Sequence, residues 1–453
     1  MKKDIVIIGG GPAGVITALT AKSVYPERSV CLVKDIGDGV IPCAIPYMIH
    51  TMSDPGANLM TNTPLEKAEI EILVDQAIDL DAADKTVALA SGTHLTYDRL
   101  VLATGIIPLP PSIAGIQTPG VFTIEKSLTA MVKLRERCRG AKRIVILGGG
   151  FIGAEFADEL ARNKSVEVHI IEMMPKLLFF AFDDEYCEMI QNELTAAGVH
   201  LHLGQRAVSI NGGRQVTGIT LENGDTIAAD VVLVGTGGKP NSALAQKAGL
   251  RITSGGAIWV DAYMRTNISH IFAAGDCALK RDFFTRKEVP VWLASTATAE
   301  ARIAGTNIYG IRVSRQIQGT ISAFSTKIGN TAFASAGLTC RGCSLEEFRW
   351  VSGNSVAPDR HPGSLPGAKA MQVKLVFADR AGTLLGGQAA GGASVGELIN
   401  AIAIGIQKKL NVRELDMLQI ATHPLLTPAP TVHPLINAAH VALSKLRERA
   451  TRP

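Results

Sequence analysis

Long apolar runs are missing from this chain of 453 residues. None reaches the ~18 consecutive apolar residues that a bilayer-spanning helix needs, so no membrane role is expected. Blocks of a single charge are missing too. The 45 Lys and Arg stand against 41 Asp and Glu, a formal +4, and no basic cluster stands out along the sequence. Neither nucleic acid nor an anionic membrane is therefore implied as a partner. The seven cysteines, at 31, 43, 138, 187, 277, 340 and 343, are odd in number and scattered. Such a set argues against a disulfide framework and for a reducing cytoplasm. The opening Met1-Lys-Lys-Asp-Ile-Val-Ile-Ile-Gly-Gly10 carries too short an apolar run for a signal peptide, and its glycines have a better use. There is no low-complexity linker. With 47% hydrophobic and 19% charged residues, the composition is that of a well-cored protein, and the length suggests about three domains of ~150 residues.

What is present begins with Asp4-Ile-Val-Ile-Ile-Gly9-Gly10-Gly11-Pro12-Ala13-Gly14, an apolar strand running into a Gly-x-Gly-x-x-Gly turn. An Ala-rich helical stretch, 15–24, follows. In such a turn the first glycine allows the tight bend and the second lets backbone approach a pyrophosphate. The third allows close helix–strand packing, with phosphates resting on the helix N-terminus. A second strand, 29–33, supplies the context that the pattern requires. At its end an acid is expected for ribose hydroxyls, but Val33, Lys34 and Asp35 stand there, so the carboxylate is missing or displaced by two residues. Lys34 is counted with the cofactor-binding positions of this turn.

A second copy lies at Lys142-Arg-Ile-Val-Ile-Leu-Gly148-Gly149-Gly150-Phe151-Ile152-Gly153-Ala154-Glu155. The strand after it, 166–171, ends on Glu172, and Gly153 to Glu172 spans 19 residues, close to the ~20 expected for an acidic ribose ligand. A carboxylate there repels a 2′-phosphate, so NADH is expected to be preferred over NADPH. The pair implies two nucleotide cofactors, one held permanently and one exchanging. Further strands end on small residues at Ala103-Thr104-Gly105, at Gly235-Thr236-Gly237, and at Gly275-Asp276. Glycine-rich strand ends let backbone approach a ligand.

Between the two turns stands Gly39-Val-Ile-Pro42-Cys43-Ala-Ile-Pro46-Tyr47-Met48. The segment 46–52 reads as the first turns of a helix, and a thiol at a helix N-terminus is favoured as thiolate. Cys43 is the candidate redox centre.

Taken together, these motifs resemble the FAD- and NAD-dependent pyridine nucleotide-disulfide oxidoreductases over essentially the whole length. Within them the chain is most similar to the single-cysteine branch of CoA-disulfide reductases, NAD-dependent persulfide reductases, and NADH oxidases and peroxidases. The fold class is then α/β, with two Rossmann-like dinucleotide-binding domains plus a C-terminal α+β dimerisation domain. The resemblance implies an FAD domain in two pieces, 1–112 and 240–322, an NAD domain at 113–239, and an interface domain at 323–453 that makes a homodimer. By the same resemblance Asp276 meets the ribityl chain of FAD, Leu293 and Ala294 present backbone to the pyrimidine end of the flavin, and Glu155 faces nicotinamide or its ribose. The strands expected at 372–377 and 384–391 and the helix expected at 395–410 agree with the interface domain.

Dithiol reductases of this family carry a second cysteine five residues after the first. Here that position is Met48, so the other sulfur must come from the substrate. Cys138 lacks a Cys-x-x-Cys partner. NADH oxidases and peroxidases of the family commonly place a histidine at the fourth position of the first turn, where Pro12 stands and cannot move a proton. Reduction of a small-molecule disulfide or persulfide is favoured accordingly, with FAD and NADH as cofactors and coenzyme A as a further candidate ligand. CoA-disulfide reductases bring partner-subunit tyrosines to the sulfur, and at the corresponding points stand Ser364 and Thr422. His423 before Pro424 resembles the proton-moving His-Pro of dithiol enzymes, without the glutamate that orients it there. Cys340 and Cys343 form Cys-Arg-Gly-Cys, but one pair without further ligands makes no metal site. The alternatives are an oxidase or peroxidase working through a Cys43 sulfenate, and a flavoprotein serving a protein electron carrier or sensing nucleotides.

Overall fold

The computed structural model describes residues 1–312 and 318–451. Residues 313–317, inside the second expected FAD segment, lie outside the described residues. The chain divides into two compact units.

The first unit comprises 1–112, 122–140 and 236–320. Its main sheet places the strands Glu71–Val74, Val30–Lys34, Lys2–Ile8 and His94–Leu102 side by side, all parallel, and Ile271–Ala273 adds in parallel beside His94–Leu102. Thr86–Leu89 and Ala77–Asp81 extend it in antiparallel fashion. The central strands are apolar without interruption because helices cover the sheet. Ile5, Ile7, Leu32 and Leu100 are wholly buried. The helices Pro12–Val24 and Ala294–Asn307 pack against one another.

The second unit comprises 113–121, 141–235 and 321–453. One sheet runs Val199–Leu203, Glu167–Glu172, Arg143–Leu147, Val231–Val234 in parallel. A five-stranded antiparallel sheet has the order Phe324–Ile328, Thr331–Gly337, Leu384–Gly391, Ala370–Ala378, Trp350–Pro358. The helix Val395–Gln407 lies on it through Val395, Ile399, Ile402 and Ile406, a spacing that keeps one apolar stripe inward. At Gly387 a Cβ would come within 3.0 Å of Ile402, which is why that strand is glycine-rich.

Buried Asp183, at the cap of the helix Asp184–Ala197, ties that helix to the antiparallel sheet. Its backbone N–H donates to Gln388 Oε1 at 2.7 Å, and its carboxylate accepts from Gln388 Nε2, the Lys374 ammonium and the backbone N–H groups of Cys340 and Arg341. Burial opposes its charge, yet Lys374 and these donors hold the carboxyl below its ordinary value. Cys340 and Cys343 therefore sit in a short buried helix, Cys340–Leu345, anchored by this network, and burial pushes both thiols up to about 12. Among the described residues no helix is long and apolar enough to cross a membrane.

Candidate active site

The first glycine turn is shaped by contacts that admit no side chain. Gly9 has φ +121°, its N–H donates to the Val33 carbonyl at 2.8 Å, and a Cβ on it would lie 2.1 Å from the Ala103 oxygen. A Cβ on Gly14 would lie 1.8 Å from the Gly9 oxygen. Gly11 faces open space at the cap of the helix that Pro12 and Ala13 begin. Gly9, at the start of the turn, borders a cavity of about 330 Å³ that Val33, Asp35, Ala77 and Thr104 also line.

On the far side of the same unit's strand ends, Ala103 is buried and Thr104 Oγ1 donates to the Asn241 carbonyl at 2.5 Å. Gly105 O in turn accepts the Asn241 N–H, and Gly237 O accepts from Leu109 N–H, closing the chain's return to this unit. Gly275 packs so tightly on Ala13 that a Cβ would approach the alanine methyl to 2.6 Å. Beside it, Asp276 Oδ1 is buried without a hydrogen-bond partner, and burial raises its carboxyl above the ordinary value. The Gly275–Asp276 turn is held by a buried ion pair: Lys280 Nζ meets Glu300 Oε2 at 2.8 Å and donates to the Gly275 oxygen, while Gly275 N–H donates to the same Glu300 oxygen. Breaking one member of such a buried pair typically costs ~3–5 kcal/mol, so the turn is rigidly placed. Leu293 caps the helix that Ala294 begins. Lys280 and Glu300 escaped the sequence reading, since only folding brings them together.

Two sequence expectations need correction here. No α-helix forms over 46–52. Instead Pro42–Ala44 and Pro46–Met48 are two short 3₁₀ turns, each opened by a proline, with the N–H groups of Ile45, Met48 and Ile49 bonded three residues back. Cys43 thus sits within a tight turn and is exposed, while the other six cysteines are buried. Burial pushes the thiols of Cys31 and Cys138 up to about 12 and that of Cys187 to about 11. The second correction concerns register. Gly9 N–H bonds to Val33 O as Gly148 N–H bonds to Ile171 O, so the residue matching Glu172 is Lys34, not Val33. Lys34 is nearly buried, and its ammonium donates to Asn62 Oδ1 at 3.1 Å and the Gly37 oxygen at 3.4 Å.

The Cys43 loop is pinned by residues that the sequence did not single out. Asp38 Oδ2 accepts from Thr129 N–H and Thr129 Oγ1, both at 2.7 Å, and from Ser127 Oγ at 3.1 Å. The Thr129 hydroxyl and N–H hold the Asp38 carboxyl below its ordinary value. Asn58, buried, donates to the Ile41 oxygen and to the Met48 sulfur, each at 3.1 Å. Met48 fills the interior at the place of a second cysteine. Arg135, buried as well, donates to the Met52 oxygen at 2.9 Å.

In the second unit the glycine turn repeats. Gly148 has φ +104°, a Cβ on Gly153 would lie 1.9 Å from its oxygen, and Gly150 faces open space. Phe151 packs edge-on against Phe324, and Ile152 is exposed. Glu172 Oε2 accepts the Gly149 N–H at 2.6 Å and Oε1 the Met174 N–H at 2.7 Å, which fixes the carboxylate at the turn. Burial pushes Glu155 up to about 7, against a hydrogen bond from Thr326 Oγ1 at 2.7 Å that lowers it and the Asp158 charge that raises it. His423 is exposed, and its Nδ1 accepts the Leu425 N–H at 3.2 Å, leaving Nε2 to carry the proton of the neutral ring. His433 is buried at the start of the last helix, with Nδ1 unpartnered, and burial lowers its pKa.

Comparisons with known proteins cover most of the chain. The family model for pyridine nucleotide-disulphide oxidoreductases matches residues 3–301, and that family's dimerisation domain matches 324–433. An NADH oxidase of Methanocaldococcus jannaschii is 31% identical, over 98% of this chain and 99% of its own. An NAD(P)H coenzyme A polysulfide/persulfide reductase of Pyrococcus horikoshii is also 31% identical, over 97% and 98%. The solved structure of an NAD-dependent persulfide reductase from A. fulgidus superposes with a TM-score of 0.90 at 31% identity, covering 99% of this chain and 84% of that one.

Proposed function

Because the chain belongs to the pyridine nucleotide-disulphide oxidoreductase family, we propose that it is an FAD-dependent, NADH-oxidising reductase of a disulfide or persulfide substrate acting through Cys43. CoA-disulfide, CoA-persulfide and polysulfide are the candidate substrates, in keeping with relatives named for coenzyme A and persulfide. The observation that carries the reading is the contrast among the cysteines. One of seven is exposed, on a pinned turn just after the first dinucleotide motif, and a buried methionine occupies the position of a resolving thiol.

The residues fit the cofactors that the family implies. Gly11 leaves room for a pyrophosphate beside helix N–H groups, and the unpartnered Asp276 Oδ1 would accept from a ribityl hydroxyl. Gly150 and Glu172 offer the same room and a ribose acceptor to NADH. The segments 1–112 and 240–322 would hold FAD, 113–239 NADH, and 323–453 the contact with a second copy. Bound FAD would supply the two-electron link between NADH and sulfur. The Cys43 thiolate attacks a substrate disulfide RSSR, forming Cys43–S–S–R and releasing RS⁻. Two electrons and a proton then cleave that bond to give back the thiolate and RSH. With a persulfide RSSH, Cys43 takes the outer sulfur as Cys43–S–SH with release of RS⁻, and two electrons return the thiolate and free HS⁻. His423, through Nε2, would deliver the proton from the other subunit of a homodimer.

Cys43→Ser is expected to keep FAD and its bleaching by NADH while disulfide and persulfide turnover disappears. Turnover equal to that of the parent would reject the assignment. The oxidase reading draws on the relative named NADH oxidase. It loses ground because Pro12 offers no proton donor beside the first turn. NADH consumption with oxygen alone, faster than with CoA-disulfide, CoA-persulfide or polysulfide, would reverse that preference.

A further inference from the structure

The C-terminal domain contains a second chemically distinctive place, a cavity of about 890 Å³. It opens between the turn after Ala370–Ala378, the short helix Val412–Asp416 and the last turn of the helix Pro434–Ala450. Five arginines line it, Arg349, Arg380, Arg413, Arg447 and Arg449, against the single carboxylate of Asp379. Its lining thus carries a local excess of four positive charges at one concave spot.

The arrangement divides in two. Asp379, whose side chain is 8% exposed, binds Arg349 at 3.0 Å and Arg449 at 2.8 Å, which sets those two guanidinium groups along one wall. Arg380, Arg413 and Arg447 have no carboxylate partner among the described residues and are exposed. The nearby Glu414 is engaged elsewhere, accepting the Asn411 N–H at 2.7 Å in a capping box. The C-terminal end of a helix favours the cations of Arg447 and Arg449 by itself, but that accounts for neither Arg380 nor Arg413. Guanidinium groups facing one space repel one another unless an anion lies between them, and their planar forks match phosphate oxygens in pairs. The volume falls in the range of pockets that hold small molecules.

We propose that this cavity is a binding site for a small molecule carrying two or more linked phosphate groups, separate from the two dinucleotide turns and independent of the redox assignment. A linear phosphate chain offers several anionic groups to the three unpaired guanidinium groups at once, whereas a single anion offers one.

Calorimetry on the FAD-loaded protein, with saturating NAD⁺ to fill the second turn, tests this with sodium tripolyphosphate, ATP, orthophosphate and sulfate as probes. Tripolyphosphate is expected to bind at least about tenfold more tightly than orthophosphate or sulfate, with affinity falling steeply with added salt. The triple variant R380Q/R413Q/R447Q should weaken it by about 100-fold or more. It spares Arg349 and Arg449 so that Asp379 keeps its partners. Equal affinity for ATP and tripolyphosphate identifies the phosphate chain as the whole determinant, and tighter ATP binding identifies a nucleotide. Should the triple variant not fold, Arg380→Gln, on an exposed turn, replaces it with an expected loss of about fivefold. Unchanged affinity in the variant, sulfate binding as well as tripolyphosphate at equal ionic strength, or binding of duplex DNA but not of tripolyphosphate would each overturn the proposal.

Discussion

The turns at Gly9–Gly14 and Gly148–Gly153 share three features of their glycines, and among the side chains that differ two change the charge. In both, the first glycine's N–H bonds to the neighbouring strand, the third glycine packs on the first one's oxygen, and the second is open. At the end of the neighbouring strand, however, one has Lys34 and the other Glu172. Two residues past the third glycine, one has Ile16 and the other Glu155. Lys34 lays its aliphatic stem against Gly10 and sends its ammonium on to Gly37 and Asn62, on the chain that leads to Cys43 and beside the segment that pins it. Glu172 turns back onto its own turn and leaves a negative charge there. On the function proposed above, the same backbone would serve stiffness toward the thiol in the first case and selection of an exchanging ligand in the second.

The strongest way to break this comparison is to fill the third glycine of each turn. In both places the added atoms would lie within 2 Å of a backbone oxygen, which cannot move without shifting the strand. Gly14→Val is expected to yield protein purified without flavin absorbance. Gly153→Val should keep FAD and slow its reduction by NADH on the order of 100-fold, read by stopped-flow absorbance. If Gly14→Val retains flavin, or Gly153→Val loses it, the two turns do not divide the cofactors in this way.

These turns were legible in the sequence because their determinants are local. An apolar β-branched run, three glycines at fixed spacing and a helix-forming stretch lie within about 25 residues of one another, as a βαβ start requires. The helix Val395–Gln407 was legible from the spacing of Val395, Ile399, Ile402 and Ile406, although it ends at Gln407 rather than Leu410. The 3₁₀ turns around Cys43 were misread because proline suits the first position of either helix type and does not say whether the bonds that follow run three or four residues back. The register of Lys34 was missed for want of one backbone hydrogen bond. Asn58 under Met48, Asp38 on Thr129 and Glu300 on Lys280 are 10, 91 and 20 residues apart, and no sequence period links such pairs.

A milder perturbation sharpens the contrast at the strand ends. Glu172 holds the Gly149 and Met174 N–H groups with its oxygens, and on the proposed function its charge would also oppose a 2′-phosphate. Glu172→Gln removes the charge and keeps one carbonyl acceptor. The ratio of kcat/KM for NADPH over NADH should rise by about tenfold, since one unit of charge repulsion near a surface is worth ~1–2 kcal/mol. KM for NADH should rise as well, because one of the two tethers weakens. A ratio that stays constant would mean that the carboxylate serves the turn alone and plays no part in selection.

The smallest expected effect concerns the second difference, Ile16 against Glu155. Burial, helped by the Asp158 charge, outweighs the Thr326 hydrogen bond and pushes Glu155 up to about 7 from an ordinary 4.5. The folded protein therefore binds this proton more tightly than the unfolded chain does. Stability from this group is complete below about 4.5 and is lost as the pH rises toward about 7, where the carboxyl must ionise while enclosed. Glu155→Gln keeps an acceptor for the Thr326 hydroxyl and removes the titration. The urea midpoint of the variant relative to the parent should thus rise across that interval and level off above it. The parent chain with Ile16→Val, a change at the matching position of the first turn, should show no such slope. A flat difference for Glu155→Gln would place the ionised carboxylate in contact with water, and the second turn would then have no buried acid to set it apart from the first.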